Sequence, residues 1–265
     1  MRFASIASGS SGNCIYAGTD NTHILIDAGI SKKRIESGLN EFGLSLKDID
    51  AILVTHEHSD HIGGLGVVSR AYHIPIYATS KTIEFIKNYK NLGKIDEDLY
   101  NDITPDVSFD IRDIKVNPFS ISHDAVDPVA YRVENADKSV AVATDMGVYD
   151  DYTISNLEGV NALLLEANHD VRMLEAGPYP YLLKRRILGE KGHLSNESSG
   201  RLLSRLLHDN MKHVFLGHLS KENNYDMLAY ETVKLEINTD DTPYKADDFE
   251  IQVARRDIPS EAIEI

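Results

Sequence analysis

Short apolar segments with turn residues at their ends recur along the chain and predict its strands. Gly and Asp mark the ends of several of them, as turn chemistry requires. The predicted strands are residues 2–7, 13–18, 23–29, 51–55, 114–121, 128–134, 139–145, 162–167, 213–218 and 249–254.

Apolar residues at helical spacing lie between these strands and predict helices. One helix carries the stripe Leu202, Leu203, Leu206 and Leu207 behind a Ser/Asn cap candidate. The predicted helices lie within residues 31–45, 62–72, 80–91, 194–209 and 224–237. Strands in runs, interleaved with helices, indicate a layered α/β protein with helices outside packed sheets. No repeat or linker divides the sequence, so we expect one domain over 1–265.

Composition indicates a globular chain that does not enter membranes. Hydrophobic content of 42% and charged content of 26% argue against disorder. The apolar runs are far shorter than a membrane span, and the stretch "MRFASIASGSSGN" contains no apolar run typical of a signal peptide. Cys14 is the only cysteine, which excludes an internal disulfide and fits a reducing compartment. We therefore expect a cytoplasmic protein.

The charge balance restricts how a polyanion can bind. The chain has 27 basic and 42 acidic residues, a net charge of −15. Its overall field repels nucleic acid, so any polyanion must be held by a local patch or by bound metal. The acidic surplus increases solubility, and part of it is available to bind cations.

The segment "HEHSDH" (56–61) is the strongest chemical signal. His56 and His58 are two residues apart, so in an extended loop both point the same way. Asp60 and His61 follow where the chain turns toward a helix. Imidazoles and a carboxylate suit a borderline divalent ion. The alternative is a solvated polar loop, but the rigid apolar strand before it favours a metal site.

Three further candidate ligands follow apolar strands, namely His123, Asp145 and His218. Each alone is weak evidence, because a histidine after a strand is more often a hydrogen-bonded loop residue. Together they repeat one geometry, in which a strand delivers one ligand-type residue at its tip. Including the four from the loop, seven such positions satisfy a two-metal site with one shared carboxylate.

The order HxHxDH, His, Asp, His resembles the ligand series of the metallo-β-lactamase fold. The stretches "SGSSGN" (8–13), "LIDAGI" (25–30), "GHLSN" (192–196) and "GHLS" (217–220) resemble the YycJ/WalJ group of that superfamily. This group is related to tRNA 3′-end-processing ribonucleases and to cyclic phosphodiesterases. The resemblance covers essentially the whole chain. It implies an αββα sandwich of two packed mixed β-sheets with helices on the outer faces.

The resemblance also implies a distribution of ligands over two divalent ions. One ion would be held by His56, His58 and His123, the other by Asp60, His61 and His218, with Asp145 bridging both. His218 is preferred to His193 because its setting "FLGHLS" is similar to the strand-His segment of the related ribonucleases. Zinc is the default of the superfamily, and manganese also suits these ligands.

Two metal ions about 3.5–4 Å apart activate a hydroxide that attacks phosphorus in line. Asp60 and His193 are the candidate catalytic residues. By resemblance, His193 matches an accessory histidine that contacts the scissile phosphate, and we assign it the proton for the leaving oxygen. The alternative is that His193 caps the following helix, although Ser195 and Asn196 are better caps.

Further residues are substrate-binding candidates with open alternatives. Ser10 and Ser11 belong to a segment that either cradles a phosphate with backbone N–H groups or forms a plain turn, and both interpretations are equally compatible. Asp27 resembles the buried aspartate that orients the metal loop without binding metal.

Asn168 and His169 lie just past a strand end, Ser195 lies at the start of a predicted helix, and these three complete the substrate-binding candidates. His169 either contacts the substrate phosphate or is a hydrogen-bonded loop residue. Residues 171–200 hold five basic and three acidic residues, a net of +2, and include Tyr179 and Tyr181. This segment either binds nucleic acid through charge and stacking or is a solvated helix face.

The group resemblance implies a 5′-to-3′ DNA exonuclease that prefers single strands, with a link to mismatch repair. The expected partner is therefore single-stranded DNA. The alternatives are a small-molecule cyclic phosphodiesterase or an RNA-processing nuclease. A β-lactam or thioester hydrolase is less compatible, because the chain lacks a ligand cysteine and a signal segment. A non-catalytic metal-binding module is disfavoured because all seven ligands are present. The sequence does not indicate an oligomeric state.

Overall fold

The first of two β-sheets is built mainly from the amino-terminal half of the chain. The computed structural model describes residues 1–265. This sheet has seven strands in the order β14-β1-β2-β3-β4-β5-β6. The bounds are β1 Arg2–Ala7, β2 Cys14–Gly18, β3 His23–Ile26, β4 Ala51–Leu53, β5 Ile76–Thr79, β6 Tyr100–Ile103 and β14 Ile263–Glu264. β3, β4, β5 and β6 run parallel, whereas β1 and β2 are antiparallel.

The second sheet also has seven strands, in the order β13-β12-β11-β10-β9-β8-β7. The bounds are β7 Phe109–Ile111, β8 Ile114–Ser120, β9 Val129–Asn135, β10 Lys138–Ala143, β11 Ala162–Glu166, β12 His213–Gly217 and β13 Glu250–Val253. β10 to β13 are parallel, and β9 is antiparallel to both β8 and β10. β8 therefore runs in the same direction as β10.

Nine helices lie between the strands. Their bounds are α1 Lys32–Glu41, α2 Ser59–Ile62, α3 Leu65–Tyr72, α4 Ser80–Asn88, α5 Asp151–Leu157, α6 Val171–Ala176, α7 Tyr181–Ile187, α8 Asn196–Leu206 and α9 Asp226–Thr239. None of them combines the length and the apolar character that crossing a membrane requires.

Three apolar layers hold the two sheets and the helices together. The middle layer lies between the sheets and contains Phe3 and Phe215, whose rings meet edge to face at 5.8 Å. One outer layer joins the first sheet to α1, α3 and α4, and the other joins the second sheet to α5, α8 and α9. Burial of these apolar surfaces is the main stabilising contribution. The expected αββα sandwich of two mixed sheets is confirmed.

The hydrophobic pattern did not predict four of the strands, namely β5, β6, β7 and β14. They have two to four residues each, too few to display an alternation, and most lie near sheet edges. The helix expected within 62–72 is α3, which begins at Leu65 because the chain turns at Gly63 and Gly64, and the short α2 before it was not predicted. The short α5, α6 and α7 were also not predicted.

Candidate metal centre

The carboxyl ends of strands from both sheets meet at one edge of the sandwich. The first sheet contributes the residues that follow β3 and β4, and the second contributes those that follow β8, β10, β11 and β12. Parallel strands deliver their carboxyl-terminal loops to the same edge. The residues brought together are Asp27, His56, His58, Asp60, His61, His123, Asp145, Asn168, His169, His193 and His218.

His56, His58 and His123 form the first group of facing donors. His123 Nε2 lies 3.3 Å from His58 Nδ1, and the His56 ring centroid is 4.6 Å from that of His58 and 5.0 Å from that of His123. His56 and His123 are buried, whereas His58 is partly exposed. This arrangement offers three imidazole nitrogens to one position that solvent can reach.

Asp60, His61 and His218 form the second group. The Asp60 Oδ2 atom lies 3.5 Å from His61 Nε2 and 3.9 Å from His218 Nε2. The rings of His61 and His218 are stacked with centroids 5.7 Å apart. Asp60 and His61 belong to α2, so this short helix supplies two of the three side chains.

Asp145 lies between the two groups and presents a different oxygen to each. Its Oδ1 is 3.7 Å from His123 Nε2, and its Oδ2 is 3.3 Å from His61 Nε2 and 3.3 Å from His218 Nδ1. The side chain is buried. A carboxylate in this position can bridge two cations, which is the geometry that a two-metal centre needs.

Several buried polar atoms of the centre have no hydrogen-bond partner, which indicates whether these residues could bind a metal. His56 Nε2, Asp145 Oδ2 and His218 Nδ1 are buried and form no hydrogen bond. Leaving buried polar atoms unsatisfied costs free energy, so native proteins pair them with another group. The donor set of imidazole nitrogens and carboxylate oxygens is one that zinc and related divalent ions accept. The residues present therefore fit bound metal.

Three residues of this edge have left-handed backbone conformations, although none is a glycine. The φ angles of Asp27, Asp145 and His218 are 63°, 62° and 55°. Each directly follows the end of a strand or lies within two residues of it. Such conformations cost of order 1 kcal/mol and cluster at functional sites. The turn directs each side chain toward the other residues gathered at this edge.

Asp27 fixes the orientation of the metal loop through three hydrogen bonds. One carboxylate oxygen accepts from the Thr55 backbone N–H at 2.8 Å, and the other accepts from the Thr55 hydroxyl at 2.9 Å. The second oxygen is also 2.7 Å from His61 Nδ1. His61 Nε2 therefore faces the centre, where the Asn13 side-chain nitrogen lies 3.1 Å away. Asp27 contacts no other candidate ligand.

His193 is held over the centre by Glu166, the last residue of β11. His193 Nδ1 lies 2.7 Å from Glu166 Oε1, and the other Glu166 oxygen accepts from the backbone N–H groups of Met146 and Leu194. The His193 ring lies between those of His123 and His218, with centroids 5.1 and 5.4 Å away. Its side chain is 16% exposed, so a substrate can reach it.

His193 does not cap α8, because the hydroxyl of Ser195 accepts from the Ser198 N–H and is the N-cap. The alternative role considered for His193 is therefore excluded. Ser195 is buried and engaged in this cap, and as a substrate contact it stays a prediction.

Burial and neighbouring charges set the protonation of the centre. Burial lowers the pKa values of His56 and His123, which keeps both imidazoles neutral and able to bind metal. Burial would raise the pKa of Asp145, but the imidazoles of His218 and His61 hold it well below its usual range. Burial would lower the pKa of His193, but the Glu166 carboxylate raises it to about 9. His193 is thus a hydrogen-bond donor at neutral pH.

The remaining substrate candidates take different positions. Ser10 and Ser11 are exposed at the tip of a loop bordering the centre. Asn168 is buried and donates to the His218 carbonyl at 2.8 Å. His169 is buried with its Nε2 unpartnered, and burial lowers its pKa to about 4. These positions do not test contact with a substrate, so the substrate-binding roles of all four residues stay predictions.

Asp124 lies at the rim of the centre and was not foreseen. It forms an ion pair with Arg186 at the end of α7, and its Oδ1 is 3.4 Å from His123 Nε2. The basic segment 171–200 therefore borders the centre. Tyr181 at the start of α7 is 71% exposed, which keeps its ring available for stacking. The only sequence signal for Asp124 was its position beside His123.

Comparisons with known proteins agree with this fold. Residues 22–219 match the family described as Beta-lactamase superfamily domain. The chain is 44% identical to exodeoxyribonuclease WalJ of Streptococcus pneumoniae serotype 2, over 88% of this chain and 87% of that protein. It is 41% identical to exodeoxyribonuclease YycJ of Bacillus anthracis, over 88% of each chain. Zn²⁺-bound PqqB of Methylobacterium extorquens shares the fold, with a TM-score of 0.73, 17% identity and coverage of 98% of this chain and 100% of that chain.

The chain belongs to the metallo-β-lactamase-fold hydrolases of the β-lactamase superfamily, within the group that contains WalJ and YycJ. This fold implies divalent metal ions, and the clusters of histidine and aspartate at the shared edge are able to bind them.

Proposed function

We propose that this protein is a two-metal phosphodiesterase that degrades DNA as a 5′-to-3′ exonuclease and prefers single strands. The observation that carries the proposal is the Asp145 carboxylate, whose two oxygens face two separate groups of metal-binding side chains. The relatives that cover most of the chain are named exodeoxyribonucleases, which supports DNA as the substrate. The direction of degradation and the strand preference follow from the group resemblance.

The proposed ligands are the seven residues described above, in two sets that share Asp145. His56, His58 and His123 would hold one ion, and Asp60, His61 and His218 the other. Zinc or manganese suits both sets. Two such ions supply an activated water and neutralise charge on the phosphoryl oxygens.

The chain's own residues would position the substrate and move the proton. Glu166 holds His193 Nδ1 at 2.7 Å, so the opposite ring edge is free to face the leaving oxygen. We assign His193 the donation of a proton to that oxygen. Asp60, whose side chain is 22% exposed against 2% for Asp145, would orient the reacting groups as well as bind metal. Ser10, Ser11, Asn168, His169 and Ser195 are the proposed substrate contacts.

Two surface cavities next to the centre favour a long substrate over a small ester. One cavity of about 470 Å³ includes His123 and Lys191 in its lining, and another of about 540 Å³ includes Ser11 and Leu219. These cavities would give a strand room to extend past the reacting phosphate. We further propose that residues 1–265 act as one domain, that the protein works in the cytoplasm, and that it serves mismatch repair.

The test is degradation of end-labelled single-stranded DNA by metal-stripped protein supplied with Zn²⁺ or Mn²⁺. The matched control is Asp145→Asn, because asparagine tolerates the φ of 62° at this position but removes the bridging charge. The expected result is shortening of the strand from its 5′ end by the wild type and none by the variant. RNA of the same sequence, duplex DNA and a cyclic nucleotide are assayed in parallel.

Each outcome bears on the assignment. Cleavage of RNA in preference to DNA would replace the proposal with an RNA-processing nuclease. Hydrolysis of the cyclic nucleotide with both polymers intact would replace it with a small-molecule phosphodiesterase. Equal DNA degradation by Asp145→Asn would remove the bridging role on which the two-metal proposal rests.

A further inference from the structure

A basic cavity lies beside the metal centre, on the far side of the loop formed by residues 8–13. Its volume is about 540 Å³. Arg34 reaches it from α1, Lys221 from the loop after β12, and Arg255 and Arg256 from the loop after β13. We call these four residues the basic cluster.

The basic cluster is an exception in an acidic protein. The cavity lining contains four cations and two carboxylates, Asp226 and Asp257, a net of +2 in a chain of net −15. Arg255 pairs with Asp226 at 3.5 Å. No carboxylate forms an ion pair with Arg34, Arg256 or Lys221. Their positive charge is therefore available to an anion from outside.

Main-chain carbonyls, not carboxylates, position the two half-buried arginines. The Arg34 guanidinium donates to the Arg256 carbonyl, and Arg256 Nη2 donates to the Leu219 carbonyl at 2.6 Å. These bonds fix the side chains without neutralising them. Arg256 is half-buried, so part of its hydration has been lost, and this burial lowers the pKa of its guanidinium. An anion would restore the interactions that water no longer provides.

Gly9 is shaped to accept Arg256. A Cβ at position 9 would lie 2.9 Å from Arg256 Cγ, closer than Cβ atoms approach other heavy atoms in proteins. The φ of Gly9 is 148°, a backbone conformation that residues with a side chain rarely adopt. The aliphatic stem of Arg256 thus packs directly on the backbone of the loop. The loop and the basic cluster form one structural unit.

The same loop connects the basic cluster to the metal centre. The Ser8 hydroxyl accepts from the His218 backbone N–H at 2.9 Å, and Asn13 reaches His61. Leu219, whose carbonyl holds Arg256, follows His218 in the chain. Ser11 lines the cavity and is exposed. A polyanion at the metal centre would therefore extend over Ser11 into the basic cluster.

We propose that the basic cluster binds backbone phosphates of the DNA strand beyond the phosphate that reacts. This inference rests on the proposed nuclease function and deepens it by assigning the path of the strand on one side of the centre. A phosphodiester backbone matches the cluster because it carries one negative charge per nucleotide and accepts hydrogen bonds from guanidinium and ammonium groups. Overall charge repels DNA from this chain, so a local contact of this kind is required.

The test compares the double variant Lys221→Ala/Arg255→Ala with the matched control Lys47→Ala/Lys212→Ala. Both pairs remove two exposed positive charges. Lys47 and Lys212 precede the amino ends of β4 and β12, so they lie away from the edge that carries the metal ligands. Each phosphate contact on a single strand contributes roughly 0.7 to the magnitude of the slope of log K against log salt concentration. With 1 M salt as the reference, the loss of two contacts therefore weakens binding about 25-fold at 0.1 M salt.

The expected result is a fall of about 25-fold in the ratio of kcat/KM for a single-stranded oligonucleotide to kcat/KM for a small aryl phosphodiester, with a salt slope smaller by about 1.4. The control variant keeps the wild-type ratio and slope. An unchanged ratio and slope in Lys221→Ala/Arg255→Ala would overturn the inference while DNA degradation by the wild type upheld the nuclease. Hydrolysis of the aryl ester without any degradation of DNA would overturn both.

Neutral linkages in the DNA provide a second measurement that does not depend on how the variants fold. A single methylphosphonate is placed at successive positions of the oligonucleotide, and kcat/KM of the wild type is measured for each. A loss at one or two positions away from the cleaved bond supports phosphate binding by the basic cluster. No loss at any position overturns it.

Discussion

Replacing Asp27 by asparagine should weaken metal binding without displacing any ligand. The aspartate accepts two hydrogen bonds from Thr55 and faces His61 Nδ1 at 2.7 Å. Asparagine has the same shape and tolerates the φ of 63° found at this position. The change therefore removes one negative charge and one acceptor oxygen while the backbone is kept.

The magnitude follows from what His61 loses. With a carboxylate on Nδ1, the proton stays on that nitrogen and the lone pair of Nε2 faces the metal centre, 3.3 Å from Asp145 Oδ2. The amide of asparagine can meet Nδ1 with an N–H group, which would favour the wrong tautomer. Partners of this kind change metal affinity by roughly 10- to 100-fold, or about 1.4–2.7 kcal/mol.

The assay is a competition between the protein and a chromophoric chelator for Zn²⁺ at fixed pH. Asp113→Asn is the matched control, because Asp113 also accepts from threonine hydroxyls, those of Thr19 and Thr22, but lies in the β7–β8 turn. We expect a 10- to 100-fold higher Zn²⁺ dissociation constant for Asp27→Asn and the wild-type value for the control. Melting of the metal-free proteins separates lost stability from lost affinity. A wild-type dissociation constant in Asp27→Asn would refute the orienting role.

Two further substitutions test other parts of the same edge. Glu166→Gln should lower kcat on DNA by about 100-fold with little change in KM. The loss of kcat should be much smaller on a p-nitrophenyl phosphodiester, because its leaving group needs no proton. Equal losses on both substrates would exclude the role of Glu166 in positioning His193 as a proton donor. Tyr131→Phe removes a buried hydroxyl that donates to the Val54 carbonyl at 2.9 Å, so urea denaturation should show unfolding free energy lower by about 1–3 kcal/mol. Tyr72→Phe, whose hydroxyl has no protein partner, should leave it unchanged.

The strands that carry the candidate ligands could be predicted because they are buried on both faces. β4, β10, β11 and β12 are short runs of apolar residues, and a polar residue after such a run stands out. These apolar runs therefore predict where the candidate ligands lie, at the strand ends. The resemblance in "HEHSDH" then indicated which of them belong together.

Other residues of the centre carried no periodic signal because their roles depend on distant contacts. Glu166 looks like the polar end of "ALLLE", yet its carboxylate reaches His193, 27 residues further along the chain. Asp124 acquires its position from Arg186 across 62 residues. The basic cluster joins helix α1 to the loops after β12 and β13, which are far apart in the sequence. Only the packing of the two sheets brings such residues together.

The left-handed strand ends connect the stability of the fold to its chemistry. Residues with an extended backbone after β3, β10 and β12 would continue along the strand direction. With positive φ angles at Asp27, Asp145 and His218, the Asp145 and His218 side chains instead face each other, and Asp27 faces His61. Each turn is stabilised locally, for example by the Ser8 hydroxyl that accepts from the His218 N–H. The interlocked layers of the sandwich thus hold conformations that short peptides would avoid, and this strain places donors from both sheets around one carboxylate.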